Sequence, residues 1–175
     1  MPKKVIKNID KVIKELQKFG AEADVVVDQV TEAASKDIML DARKLAPKDT
    51  GGLSGSIYQE EVSKNRYKIW SAKPYAAYME FGTGSQVEVP KEMQDVANEF
   101  RGRSKGSFED GVQAIADWLS RNGGDPKDAK FILFRILKRG LTPQPFLYPA
   151  FVKGRKTYLQ DLKDELKVLT EKYNK

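Results

Sequence analysis

Asp49-Thr50-Gly51 matches the tripeptide that carries the catalytic carboxylate of aspartic proteases. That chemistry needs two carboxylates sharing one proton, each on a tight loop after an apolar strand, so that their pKa values separate. Here the tripeptide follows Leu45-Ala46-Pro47-Lys48, which reads as the end of a helix, and a lysine adjoins the acid. The sequence holds no second Asp-Thr-Gly or Asp-Ser-Gly, so only a homodimer would supply the other carboxylate. The alternative is a turn. Asp49 and Thr50 can bond neighbouring backbone amides, while Gly51, Gly52 and Gly55 open backbone angles closed to other residues. The turn suits the stretch better than catalysis does.

Other chemistry is narrowed by composition. The chain has no cysteine and no histidine, which removes thiol chemistry, the usual zinc ligands and every Ser-His or Cys-His nucleophile pair. No cofactor or metal site is read, and any enzyme would have to run on carboxylates or lysine. Gly82-Thr83-Gly84-Ser85 resembles part of a phosphate loop but lacks the Gly-Lys-Ser/Thr end and reads as a strand-ending turn. A net charge of +6 and a pI near 9.3 permit nucleic-acid contact. Arg101, Arg103 and Lys105, in a run with glycine and serine, are the candidates for touching phosphates; a solvated loop is the plainer reading.

The elements that would position these residues follow from periodicity. With 175 residues, 40% of them hydrophobic and 32% charged, the chain is long enough for one ordinary domain, taken as 1–175. Val5, Ile9, Val12, Leu16 and Phe19 recur at spacings of four and three and predict an N-terminal helix within 1–20, closed at Gly20. A longer helix is predicted from about Glu22 to Leu45, ended by Pro47. Ser56–Val62 and Arg66–Ser71 read as a β-hairpin, and a third strand or extended segment is predicted within Tyr75–Phe81. Helices followed by consecutive strands give an α+β fold, a small antiparallel sheet packed with a long helix.

Ser85–Ser107 reads as a mobile loop with room for one short helix. Two helices follow, about Phe108–Asn122 and one after Asp125-Pro126. Together they form an insertion over 85–141. Leu141–Phe151, with Pro143, Pro145 and Pro149, is expected to be extended or kinked. A C-terminal helix is predicted over 154–173, with Leu159, Leu162, Leu166, Leu169 and Tyr173 as its seam. Both terminal helices could use their seams on one another, on the sheet, or on a partner chain.

No apolar run approaches the roughly 20 residues that span a bilayer, and Met1-Pro2-Lys3-Lys4 leads into a charged helix, so no membrane contact and a cytoplasmic start are expected.

Three stretches in order carry a resemblance. They are Ala46-Pro47-Lys48-Asp49-Thr50-Gly51-Gly52-Leu53-Ser54-Gly55-Ser56-Ile57, then Tyr75-Ala76-Ala77-Tyr78-Met79-Glu80-Phe81-Gly82-Thr83-Gly84, then Pro143-Gln144-Pro145-Phe146-Leu147-Tyr148-Pro149-Ala150-Phe151. Together they resemble the tail-completion, or head-tail joining, proteins of long-tailed bacteriophages and prophages. The positions held in common are Pro47, Thr50, Gly51, Leu53, Ser56 and Ile57; Tyr78, Glu80, Phe81, Gly82 and Thr83; and Pro145, Phe146, Leu147, Pro149 and Ala150. Gly52 and Gly55 depart from the family pattern, as does the long 85–141 region.

The resemblance implies a non-enzymatic minor virion component. It would form a homo-oligomer, a hexameric ring matching tail symmetry, beside other connector and tail proteins, and be assembled in the host cytoplasm. Within it, Asp49, Thr50, Gly51, Leu53, Tyr78, Glu80, Phe81, Gly82, Thr83, Pro145, Phe146, Leu147 and Pro149 are motif or interface candidates. A basic DNA-contacting module with transient DNA contact, and a minor tail component, are the other readings.

Overall fold

A single helix, α1, runs from Ile9 to Leu45 without a break at Gly20, in the computed structural model, which describes residues 8–83, 89–100 and 107–174. Two helices parted at Gly20 were expected. A glycine inside a helix costs only about 1 kcal/mol relative to alanine. Contacts on both sides of it outweigh that cost: the Phe19 ring meets Tyr173 edge-on at 5.3 Å, and Glu22 pairs with Lys172 at 2.6 Å. Both partners belong to one helix, so α1 gains by staying straight. Its other end is as expected: Ala46, ahead of Pro47, turns out of the helical region with ψ 134°.

The hairpin joins β1 (Ile57–Ser63) to β2 (Arg66–Ser71), antiparallel, with Ile57 opposite Ser71 and Glu61 opposite Tyr67. Asn65, at φ 61°, makes the turn and donates its backbone N–H to Asp28 at 2.9 Å. Period-two alternation turns Ile57, Gln59, Tyr67 and Ile69 toward α1. There the Gln59 amide donates to Ser35 Oγ at 2.8 Å, and the Tyr67 hydroxyl donates to Asp28 at 3.3 Å. The outer side keeps Tyr58 and Trp70, whose rings lie 5.6 Å apart.

Residues Tyr75–Phe81 depart from the expected strand. Ala76–Phe81 form a short helix, α2. Pro74 takes the second position of the Lys73–Ala76 turn that leads into α2, and the helical turn presents Met79 and Glu80 to the segment arriving from Leu141. In place of β-pairing, the Met79 carbonyl accepts from the Gln144 amide at 2.7 Å.

The insertion region contributes α3 (Gln94–Phe100), α4 (Phe108–Arg121) and α5 (Ala129–Arg139). Ser107 and Asp110 form a reciprocal capping box at the start of α4. Asp125 caps the 3-10 turn Pro126–Asp128 that leads into α5. The basic candidates Arg101, Arg103 and Lys105, and Gly84 and Ser85 of the phosphate-loop-like stretch, lie outside the described residues.

Helix α6 runs Leu147–Tyr173, longer at its start than the expected 154–173, and takes in Pro149. Pro149 falls in the first helical turn, where its missing N–H would have had no intrahelical partner. Extended backbone is confined to the residues before Phe146. α6 lies antiparallel along α1, with Lys153 on Asp41, the Tyr158 hydroxyl 3.3 Å from Thr31 Oγ1, and Lys172 on Glu22. The C-terminal seam therefore packs on the body of α1, where Phe19 of the N-terminal seam meets Tyr173, while Ile9, Val12 and Leu16 of that seam stay exposed.

Gly154 allows the close approach, since a Cβ there would run into Ile38 Cγ1. The buried core sits where α1, the hairpin and the start of α6 converge, around Ile38, Ala42, Leu53, Ile57, Phe146 and Ala150. The architecture is α+β, with a two-stranded antiparallel sheet on a long helix.

Candidate functional site

The first motif folds as a turn held at several points. Gly51 takes φ 77°, a conformation that favours glycine, and its carbonyl accepts from the Gly55 amide at 2.9 Å. Leu53 is buried in the core; Ser54 Oγ donates to the Arg43 carbonyl at 3.0 Å, and Ser56 Oγ donates to the Leu53 carbonyl at 2.7 Å. Arg43 fixes the exit, donating from two nitrogens to the Ile57 carbonyl at 3.0 and 2.7 Å. Nothing in the spacing of the sequence marked Arg43 for this part.

Among the described residues Asp49 has a cation and an amide as partners, not a second carboxylate. It accepts from the Arg121 guanidinium at 2.9 Å and the Asn122 amide at 3.2 Å, across to the end of α4. The Arg121 hydrogen bond, then that of Asn122, hold its carboxyl below the ordinary value of 3.8. A proton-sharing acid needs a raised or split pKa, and this one is moved the other way by a permanent cation. In the structure Asp49 ties the turn to the insertion. Thr50 beside it is exposed.

The second and third motifs form one latch. Glu80 is only 6% exposed, and its carboxylate accepts three backbone amides at the start of α6: Phe146 and Leu147 at 2.9 Å each, and Tyr148 at 2.7 Å. A helix start leaves four amides without intrahelical acceptors. Glu80 takes three of them, and the fourth position is Pro149, which has none. The negative charge also lies at the positive end of the helix dipole.

Thr83 completes the closure. Its N–H donates to the Leu141 carbonyl at 3.1 Å, and its Oγ1 accepts from the Leu141 amide at 2.8 Å. Gly82, at φ 68°, is where a side chain would not fit, because a Cβ would sit 2.5 Å from the Leu141 oxygen. Phe81 and Phe146 are buried, Phe146 among the largest fully buried side chains, while Tyr78 and Leu147 are half-buried. Phe146 is thus committed to the chain's own core. The sequence grouped these positions by motif but gave no sign that Glu80 caps α6. The available signal was a helix start carrying proline and no Ser, Thr, Asp or Asn cap, which obliges an acceptor to come from elsewhere.

Beside the latch lies an apolar groove of about 590 Å³ between α1, β2 and α6. Ile38 and Ile69 line it together with Leu147, Phe151, Leu159 and Met93 of the turn before α3, and among the described residues Arg155 is the one charged residue in the lining. Tyr67 lines it too. Its half-buried phenol is pushed up to about 12 by desolvation and then by the negative charges of Asp28, Glu61 and Glu32. Among the described residues no cluster of acidic side chains could hold a metal ion, and no helix is long and apolar enough to cross a membrane.

Comparison with known proteins agrees with the motif reading. No curated protein and no solved structure matches the chain. Residues 10–82 match the HK97-gp10-like family, described as "Bacteriophage HK97-gp10, putative tail-component". The matched span takes in the first motif and the second as far as Gly82, and the Glu80 latch ties the third to them. Through residues 10–82, then, the sequence resembles the HK97-gp10-like family of bacteriophage tail components.

Proposed function

We propose that this protein is a non-enzymatic structural component of a bacteriophage tail, acting at the head-proximal end in tail completion or head-tail joining, and assembling there as a ring. The observation that carries the reading is the family match over residues 10–82. The arrangement of the motifs supports it. Asp49 is neutralised by Arg121, and Glu80 is consumed in capping α6. Both are the work of a scaffold. Neighbouring connector and tail proteins would contact its remaining surfaces, in the virion after assembly in the host cytoplasm.

The test is to disable the gene in a phage that encodes it and image the particles by electron microscopy. Filled heads lying apart from finished tails are expected. Tails of aberrant length would move the protein into tail-tube assembly, and normal infectious virions would remove the reading.

A further inference from the structure

Two apolar surfaces of this fold complement each other but belong to different places on one chain. The first is the outer side of α5. Its inner side, with Ala129, Ile132, Leu133 and Ile136, turns inward. Phe131, Phe134 and Leu137 stand on the opposite side, 71%, 60% and 65% exposed. Phe134 touches the Phe108 ring edge-on at 5.8 Å, and the rest of its face is open. Lys130, Arg135, Lys138 and Arg139 interleave with these three, and α5 contains no carboxylate. Among the described residues none of the four cations forms an ion pair.

The second surface is the groove between α1, β2 and α6. Its lining is apolar apart from a few hydroxyls and Arg155. One end is acidic: Asp28, Glu61 and Glu32 crowd around Tyr67 there. Among the described residues Asp28 is bonded by neutral donors, the Asn65 amide and the Tyr67 hydroxyl, and has no ion pair. Glu61 has no ion pair among the described residues; Glu32 is paired with Lys36. An amphipathic helix with cations beside its apolar anchors fits a groove of this kind, in the helix-in-groove mode.

We propose that α5 of one copy docks into the α1–β2–α6 groove of a second copy, with Phe131, Phe134 and Leu137 against Ile38, Ile69 and Phe151, and the α5 cations toward the Asp28–Glu61 end. Within its own chain α5 packs on α4. The two surfaces differ, so the contact is heterologous: every open assembly still offers one free helix at one end and one free groove at the other, and association continues until a ring closes. The inference rests on the reading of the chain as an assembling tail component and names the surfaces that assembly would use.

The experiment is sedimentation velocity on the purified full chain from about 1 to 100 µM. Two variants are compared with it, both checked for native fold by circular dichroism. One carries Phe131→Glu with Leu137→Glu on the helix; the other carries Phe151→Glu with Leu159→Glu in the groove. The wild type is expected to self-associate, and each variant to lose at least about tenfold in association constant. Mixed together, the two variants should form a 1:1 dimer and nothing larger, because one supplies the groove and the other the helix. Raising salt from about 0.05 to 0.5 M should weaken the wild-type constant by about tenfold.

A wild type that is monomeric throughout, a mixture that stays monomeric, association undiminished in either variant, or a salt-independent constant would each overturn the proposal. Failure here is distinguishable from failure of the tail reading. A monomeric chain whose loss still separates heads from tails removes only this interface. Self-association through α5, combined with normal virions in the gene's absence, removes only the tail reading.

Discussion

Replacing Glu80 tests whether the latch stabilises the fold. Its carboxylate accepts three amides at 2.7 to 2.9 Å in a buried position. A hydrogen bond to a charged group contributes about 1.5–3 kcal/mol net. The three share one carboxylate and are not additive, so Glu80→Ala is expected to cost about 4 kcal/mol and Glu80→Gln about 2–3 kcal/mol. Glutamine keeps one acceptor oxygen and turns an NH₂ toward donors, leaving at least one amide buried without a partner. Against a total stability of about 5–15 kcal/mol, either is a large loss.

Urea unfolding followed by circular dichroism measures it. With a slope of about 2 kcal/mol per molar, the glutamine variant should unfold about 1–1.5 M earlier than wild type. Ser107→Ala, which removes the exposed cap of α4, is the comparison and should cost only about 1 kcal/mol. Hydrogen exchange should speed up selectively at Phe146, Leu147 and Tyr148. A glutamine midpoint within about 0.2 M of wild type, or no larger than the Ser107 effect, would refute the capping argument.

Further expectations follow from the same contacts. Phe146→Ala should cost about 3–5 kcal/mol in thermal or urea unfolding of the isolated chain, as a core truncation does; a loss under about 1 kcal/mol would return Phe146 to the surface. Gly154→Ala should destabilise by about 1–3 kcal/mol through its collision with Ile38, and in a double-mutant cycle Ile38→Ala should absorb much of that cost. Asp49 has a folded pKa below its ordinary 3.8, so its link to Arg121 contributes stability above that value and loses it as pH falls through the depressed folded value. The gap between wild type and Asp49→Asn should therefore be constant at neutral pH and close at acid pH in parallel unfolding curves.

Periodicity made most elements legible, because it reports one-sided burial directly. The alternation in Ser56–Val62 and Arg66–Ser71 placed the hairpin to within a residue at its ends, and the spacing of Leu162, Leu166 and Leu169 placed the body of α6. The misreadings share a cause. Gly20 carries a local signal for ending a helix, which contacts to Tyr173 and Lys172 override, and the prolines before residue 150 masked a helix start whose cap, Glu80, lies far away in the sequence. Tyr75–Phe81 has strand-like composition, yet it serves partners more than sixty positions away that no local window contains. For the candidate site, the motif residues were visible and their mutual bonds were not. The turn reading of Asp49 came from what preceded it, while its pairing with Arg121 belongs to the tertiary fold alone.

The paired bonds between Thr83 and Leu141 bear on how such a chain can change over time. The backbone leaves the core formed by α1, the hairpin and α2 at Thr83 and returns to it at Leu141, and the two points touch. Whatever lies between them is an excursion whose ends are already tied. Lengthening a tied loop costs little, about 0.6 kcal/mol for each doubling. The clasp thus acts as a socket: helices carried in it can be swapped, shortened or rewritten while α1, the hairpin and α6 keep their places. The family match stops at Gly82, on the threshold of that socket.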